Sequence, residues 1–261
     1  MVERLLLAAA LACAPLVAQA AELVTLATRP GVTQSYLLYV KPDSSPKAVA
    51  LLFAGGDGNV RLTERGATNL RGNFLVRSVD LIRDENVAAA IVDAPSDQLQ
   101  TGMSDGFRTG GDHLKDIEAV VADVRRRLPG TRAFLVGTSK GTLSAAYAAR
   151  ALGDRIDGVV LTSSVLTPTR MSIALAGFPF GSIKAPLLFV HHREDGCEAC
   201  CAYRETRWIG DYPLISAEGG TPPKSGPCEG QSRHGYIGIE APVVEAIKAF
   251  MLGRPYPKEI R

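Results

Sequence analysis

The chain has 261 residues, of which 46% are hydrophobic and 21% charged, and its formal net charge is +2. These values are typical of an ordinary globular protein. The longest basic run, Arg125-Arg126-Arg127, ends an amphipathic stretch, where cations favour the helix dipole. We therefore expect no nucleic-acid binding.

The first twenty residues have the features of an export signal. Arg4 supplies a basic start, residues 5–17 are apolar, and Ala18-Gln19-Ala20 has the small-x-small form of a cleavage site. We expect cleavage near Ala20, a periplasmic or secreted product, and a single domain over residues 21–261. Two alternatives stay open, a membrane anchor formed by the apolar stretch and lipid attachment at Cys13. No later segment is apolar for long enough to predict a transmembrane helix.

The elements that follow alternate between strands and helices. Residues 23–28 and 34–41 are rich in β-forming residues around the turn Arg29-Pro30-Gly31, which predicts an N-terminal hairpin. Further strands are predicted from short, wholly apolar runs at 48–53, 87–92, 133–136, 156–161 and 186–191, with a last strand at 213–217. Runs that are apolar throughout are typical of parallel strands that are buried on both faces.

Apolar residues at helical spacing predict the helices between these strands. They cover residues 73–84, 113–128, 140–152 and 241–252. The alternation predicts an α/β fold, a doubly wound and mostly parallel sheet with its function at the carboxyl ends of the strands. Residues 167–183 have no clear period and form either a short cap over that edge or a crossover.

A serine lies at the centre of Gly137-Thr138-Ser139-Lys140-Gly141, between a predicted strand and a predicted helix. A sharp strand-to-helix turn of this kind strains the backbone of its central residue and exposes the side chain. The glycines on either side allow neighbouring backbone segments to come close. Ser139 is therefore the candidate nucleophile.

A serine hydroxyl needs a base, and the base needs an orienting carboxylate. The sequence holds four histidines: His113, His191, His192 and His234. His234 is the candidate base, because it lies in the loop between the last predicted strand and the final helix. The loop after residues 186–192 offers two carboxylates, and we choose Asp195 over Glu194.

The turn Phe53-Ala54-Gly55-Gly56-Asp57-Gly58 follows the first central strand. A backbone N–H at Gly55 or Gly56, together with the N–H of Lys140, is a candidate oxyanion hole. A plain glycine-rich turn is the alternative. Phosphate binding is disfavoured, because no Lys-Ser/Thr pair follows the glycines.

These segments together resemble the α/β-hydrolase fold superfamily over essentially all of residues 21–261. The resemblance is carried by GTSKG, FAGGDG, HHREDGC and RHGY, and by the chain order Ser139, Asp195, His234. It implies hydrolysis through an acyl-serine intermediate, without a cofactor or metal, by an exported enzyme with a small cap. The superfamily also contains members without hydrolytic activity, so fold and function are separate expectations.

Four cysteines lie outside the export signal: Cys197, Cys200, Cys201 and Cys228. An even count in an exported protein predicts disulfides. We favour a Cys197–Cys228 bridge, because these residues flank the candidate acid and base, whose loops must meet. A bridge from Cys200 or Cys201 to Cys228, and a zinc site at C-x-x-C-C, stay open.

Three functions remain open from the sequence. The first is hydrolysis of small or short-chain carboxylic esters, because residues 162–184 are too few for a large lid and no long amphipathic stretch suits a lipid surface. Its partner is a small-molecule ester, in a shallow pocket that we expect Met171, Phe178 and Phe180 to line. The second function is that of a peptidase or amidase with the same residues, and the third is noncatalytic binding.

Overall fold

The computed structural model describes residues 21–167 and 173–261. The predicted export signal, the alternatives at Cys13 and the predicted pocket residue Met171 lie outside the described residues. Within those two ranges, no helix has both the length and the apolar character needed to cross a bilayer.

Eleven strands, six α-helices and four short 3₁₀-helices make up the regular structure of the described residues. The strands are β1 (Glu22–Arg29), β2 (Val32–Tyr39), β3 (Ala48–Phe53), β4 (Leu62–Thr63), β5 (Gly66–Ala67), β6 (Val87–Val92), β7 (Arg132–Thr138), β8 (Gly158–Thr162), β9 (Leu187–His192), β10 (Leu214–Ala217) and β11 (Glu259–Ile260). The helices are α1 (Phe74–Arg77), α2 (Val79–Ile82), α3 (Asp105–Arg108), α4 (Gly111–Arg127), α5 (Gly141–Leu152) and α6 (Glu240–Met251).

Nine of the strands form one sheet in the order β1-β2-β6-β3-β7-β8-β9-β10-β11. The hairpin β1–β2 joins β6 in antiparallel pairing, and every pair from β6 to β11 is parallel. This arrangement confirms the predicted fold class, a mostly parallel α/β sheet with an N-terminal hairpin.

Helices cover both faces of this sheet, and the alternation of side chains along β3 shows the two cores. Val49, Leu51 and Phe53 belong to the core that includes α4 and α5. Ala48, Ala50 and Leu52 belong to the core that includes α1, α2 and α6. All six residues are buried, which explains why this strand is apolar throughout rather than alternating.

The structure corrects the sequence prediction at two places. The helix predicted over residues 73–84 is two short helices, α1 and α2, that meet at Ser78, where ψ is 8°. Residues 213–217 are not the last strand, because β11 adds a parallel pair beyond β10. β11 has only two residues, of which Ile260 alone is apolar and buried. This pattern is too short to predict a strand.

For the segment at residues 167–183, the sequence left a short cap and a crossover as alternatives. Its described part, from Ile173 onward, packs against the core, with Leu175, Phe178 and Phe180 all buried. The backbone N–H of Leu175 donates to the carbonyl of Val165 at 2.7 Å. This part is therefore a crossover between β8 and β9 rather than a cap.

Candidate active site

Ser139 occupies the turn between β7 and α5. Its φ is +52°, in the left-handed region that costs energy for a residue with a side chain, and its N–H donates to the carbonyl of Thr162 at 3.0 Å. A Cβ at Gly141 would collide with the carbonyl of Phe53, and one at Gly137 would collide with Gly141. Both glycines are therefore required for the close approach of three backbone segments that holds Ser139 at the sheet edge.

His234 and Asp195 form a buried pair at the same edge. His234 Nδ1 lies 2.8 Å from Asp195 Oδ2, and the other carboxylate oxygen accepts the N–H of Cys197 at 2.9 Å. The aspartate side chain is 0% exposed and the histidine side chain 5%. An anionic carboxylate at Nδ1 favours the tautomer that keeps Nδ1 protonated and leaves Nε2 as the acceptor.

The other ring nitrogen of His234, Nε2, is the candidate proton acceptor. Nε2 is buried and has no hydrogen-bond partner among the described residues. His234 and Ser139 line one narrow cleft with Gly55, Gly56 and Cys228. The structure forms no hydrogen bond between Ser139 Oγ and Nε2. Such contacts are often long without substrate and tighten when it binds.

The other three histidines are engaged elsewhere. His191 Nε2 accepts the N–H of Ser164 at 3.1 Å, and burial lowers the pKa of His191 to about 4. His113 Nε2 lies 2.9 Å from Ser144 Oγ, and burial lowers its pKa to about 3. His192 Nδ1 accepts the N–H of Glu194 at 3.0 Å, and burial lowers the pKa of His192.

Between the two candidate acids, the structure places Asp195 rather than Glu194 at His234. The Glu194 side chain is 61% exposed, and its nearest cation is Arg233, at 3.7 Å.

The glycine turn after β3 lies directly over Ser139. A Cβ at Gly55 would come within 2.8 Å of Ser139 Cβ, and Gly56 has a φ of +59°. The turn is held from behind by the buried Arg108, whose Nη2 donates to the carbonyls of Ala54 and Gly56 at 3.3 and 3.2 Å.

The backbone and the side chain of Lys140 make separate contacts. Its backbone follows Ser139 at the start of α5, and the residue lines the cavity beside the serine. Its ammonium group is 2.9 Å from Asp105 in α3, the short helix that also carries Arg108. The charge of Lys140 is thus paired with α3, while its N–H follows directly after Ser139 in the chain.

The cavity in front of Ser139 has a volume of about 410 Å³, and three of the eight residues that line it are Cys197, Cys200 and Cys228. Disulfides join Cys197 to Cys228 and Cys200 to Cys201. The remaining lining residues are Gly56, Ser139, Lys140, Val165 and Ala199. Because all four cysteines are bridged, C-x-x-C-C offers no thiolate for the zinc site left open above.

A second, more polar cavity of about 500 Å³ adjoins the first and shares Gly56 and Cys228 with it. Its polar side chains are Asn73, Ser225, Glu229 and Gln231. The Cys197–Cys228 bridge therefore lies at the boundary between the two cavities.

Searches against known proteins give matches by structure alone. No protein-family model matches the chain, and no curated protein matches it in sequence. The structure is similar to Est1E from Butyrivibrio proteoclasticus, with a TM-score of 0.58 and 17% identity over 88% of this chain and 98% of that one. The chain has the α/β-hydrolase fold.

Two further structures with this hydrolase fold are similar over comparable lengths. Dienelactone hydrolase from Anabaena variabilis has a TM-score of 0.60 and 11% identity, covering 90% of this chain and 99% of that one. The esterase domain of a Rhodothermus marinus protein has a TM-score of 0.54 and 16% identity, covering 88% and 97%. At these identities the likeness shows the fold and not the reaction.

Two features of this hydrolase-fold site differ from the sequence prediction or were missed by it. Phe178 and Phe180 do not line the cavity, so that prediction was wrong. They pack in the core, with ring centroids 5.1 Å apart, because Tyr147, Phe189 and Tyr212 surround them. Arg108 was not predicted as part of the site, since a lone arginine in a glycine-containing segment has the sequence pattern of a surface residue.

Proposed function

We propose that the chain is a serine hydrolase that cleaves small or short-chain carboxylic esters through an acyl-serine intermediate. One observation carries the proposal. A buried Asp195–His234 pair presents an unpartnered Nε2 to the cleft that contains the strained Ser139. A nucleophile, a base and an orienting acid are the groups that acyl transfer requires.

In the proposed mechanism, Ser139 Oγ attacks the ester carbonyl while His234 Nε2 accepts its proton. Asp195 stabilises the imidazolium through Nδ1 and stays ionised. The N–H of Lys140 and an N–H of the Gly55-Gly56 turn donate to the oxyanion. His234 then returns the proton to the leaving alcohol, and water, activated by the same nitrogen, releases the acid.

The similar structures support this reaction class, since one is named an esterase domain and another a hydrolase. The fold alone does not separate an enzyme from a noncatalytic binder. Labelling with a fluorophosphonate makes that distinction, because the reagent reacts covalently only with an activated serine.

The test of the proposal is loss of turnover of nitrophenyl butyrate in Ser139→Ala and His234→Ala. Because the groups act as a unit, each variant should lose about 10⁴-fold or more in kcat while it remains folded. Asp195→Asn should lose less than Ser139→Ala, and Glu194→Gln, its matched control, should stay near wild type. Near-normal turnover in a folded Ser139→Ala, or greater damage from Glu194→Gln, contradicts these roles.

We also propose that the chain is exported, with residues 1–20 removed. The two disulfides support an oxidising compartment, where such bridges form and persist. N-terminal sequencing of the mature protein should begin at Ala21. A mature chain that retains residues 1–20, or that begins at a lipidated Cys13, contradicts this proposal.

A further inference from the structure

The four cysteines form one continuous sulfur cluster beside the candidate base. Cys197 Sγ, which is bonded to Cys228, lies only 3.4 Å from Cys200 Sγ, which is bonded to Cys201. The sulfurs of Cys197, Cys200 and Cys201 and a ring nitrogen of His234 all lie within 4.8 Å of one another. Two bridges in contact are the arrangement from which thiol–disulfide exchange proceeds without large movement.

The cluster is reached from the cavity in front of Ser139. Cys201 and Cys197 are 0% and 1% exposed, whereas Cys200 is partly exposed, Cys228 is exposed, and both line that cavity. Each bridge therefore has one residue open to an incoming thiol, Cys200 in one and Cys228 in the other, and direct attack at Cys228 is the route that competes with a relay through Cys200. Access decides which sulfur of a bridge is attacked.

We propose that this cluster is a thiol–disulfide exchange site for small dithiols, in which Cys200 relays reduction to the Cys197–Cys228 bridge. A thiolate of the dithiol attacks Cys200 Sγ, and Cys201 leaves as a thiolate that takes up a proton. The second thiolate of the reagent then attacks the reagent sulfur that is bonded to Cys200. That mixed disulfide breaks, and Cys200 leaves as a thiolate that takes up a proton. The products are a cyclic disulfide, which is the oxidised reagent, and two protein thiols at Cys200 and Cys201.

The relay step is an isomerisation within the protein. The Cys200 thiolate attacks Cys197 Sγ, a Cys197–Cys200 bond forms, and the Cys197–Cys228 bond breaks. Cys228 leaves as a thiolate and receives the proton that Cys200 lost, so no further oxidant or reductant is consumed. The new bridge is a C-x-x-C ring within one loop.

The exchange bears on the proposed hydrolysis because the broken bridge joins two loops. Cys197 also donates its N–H to Asp195, while Cys228 lies six residues before His234. With Cys228 released, the loop before His234 loses its covalent tie to the loop that carries Asp195. We expect ester turnover to fall in this state. This consequence rests on the proposed function, whereas the exchange itself does not.

Trypsin makes the exchange measurable, since it separates residues 194–204, with three cysteines, from residues 225–233, with Cys228 alone. The protein is treated briefly with a limiting dithiol, alkylated with iodoacetamide, digested and mapped by mass. In the wild type, Cys228 and Cys201 should be alkylated while residues 194–204 keep an internal bridge. Alkylation of Cys228 with Cys197 also alkylated would show direct reduction and overturn the relay.

Two matched variants separate the relay from simple accessibility. In Cys200→Ser, Cys228 should be alkylated about tenfold more slowly than in the wild type, because the relay sulfur is gone. In Cys201→Ser, Cys200 begins as a thiol, so part of Cys228 should be alkylated with no dithiol added. Equal rates of Cys228 alkylation in Cys200→Ser and wild type, or no Cys228 alkylation in untreated Cys201→Ser, overturn the proposal.

Turnover of nitrophenyl butyrate is followed in the same samples, each relative to its own untreated protein. In the wild type, turnover should decrease in proportion to the fraction of Cys228 that is alkylated. In Cys200→Ser, turnover should stay at the level of the untreated variant. Turnover that is independent of Cys228 alkylation overturns the coupling. If the untreated wild type has no esterase activity, the proposed function fails instead, and the alkylation map still decides the exchange.

Discussion

Arg108 carries a full charge in the interior of the protein, where an ion is stable only with good hydrogen-bond partners. It is 1% exposed, and burial lowers its pKa to about 10, so it remains a cation at neutral pH. Its guanidinium donates to Ser144 Oγ at 2.9 Å as well as to the carbonyls of Ala54 and Gly56. The planar fork fixes three groups at once, two of them in the glycine turn beside Ser139.

We therefore expect Arg108 to act as a positioning residue for the oxyanion site. Arg108→Met removes the donors and leaves two carbonyls of the turn without this partner. The kcat for nitrophenyl butyrate should fall about 10²-fold with little change in KM, comparable to the loss of one oxyanion donor. The kcat of Arg108→Lys should lie between those of the wild type and Arg108→Met, since an ammonium group keeps the charge but cannot reproduce the planar fork of the guanidinium.

Arg150→Met is the matched control for this substitution. Arg150 is exposed and lies over the rings of Tyr147 and Phe178, away from the glycine turn. The concentration of active sites is measured by labelling with a fluorophosphonate, and kcat is given per labelled site. A smaller fraction of folded protein is then not mistaken for a lower kcat. A lower unfolding midpoint for Arg108→Met with normal kcat per active site would assign Arg108 a structural role alone.

At the scale of the elements, wholly apolar strands were the most predictable part of the chain. The runs at residues 48–53 and 87–92 match β3 and β6 to the residue. Both strands are buried on each face, so hydrophobicity alone marks their ends. The turn at Ser139 was predictable for a related reason, because the glycines that its close packing requires are visible in the sequence.

Elements that depend on distant partners were less predictable. The helix predicted over residues 73–84 has a continuous apolar pattern, yet its backbone breaks at Ser78. Local spacing carries no information about such a break. The Phe178 and Phe180 side chains were placed in the wrong environment for the same reason, since an apolar residue fits a pocket wall and a core equally well.

The loop after β9 has two roles, since it carries Asp195 and also supplies Cys197, Ala199 and Cys200 to the cavity wall. An acyl chain that enters this cavity gains about 0.8 kcal/mol for each methylene that it buries, until the wall is reached. We expect activity on acetyl to hexanoyl nitrophenyl esters and a steep fall beyond octanoyl. A chain-length series measures this directly.

A bulky side chain on that wall should move the limit. Ala199→Phe should shift the preferred chain towards acetyl, whereas Ala199→Ser, which adds little volume, should keep the wild-type profile. Peak activity of the wild type at dodecanoyl or longer contradicts the short-chain prediction. An unchanged profile in Ala199→Phe means that the acyl chain lies elsewhere, for which the polar cavity beyond Cys228 is the alternative.

For the whole molecule, two buried histidines link folding to pH. His113 and His191 are both 0% exposed, with pKa values lowered to about 3 and about 4, chiefly by burial. Arg108 and Arg29 lower the pKa of His113 further. Near His191, His234 lowers the pKa while Asp195 raises it. Both imidazoles are therefore neutral in the folded protein at pH values where the unfolded chain, with histidine pKa values near 6.5, is protonated.

Because the folded pKa values lie below the unfolded ones, these histidines stabilise the fold fully above pH 6.5 and progressively less as the pH falls towards 4. Each contributes a slope that approaches about 1.4 kcal/mol per pH unit, so the free energy of unfolding should fall by about 3 kcal/mol between pH 6.5 and 5. Urea titrations across this range measure the fall. In His113→Gln/His191→Gln, the amides retain polar partners for Ser144 and Ser164 but do not titrate, so most of the fall should disappear. A double variant whose stability declines as steeply as that of the wild type would show that other groups cause the loss.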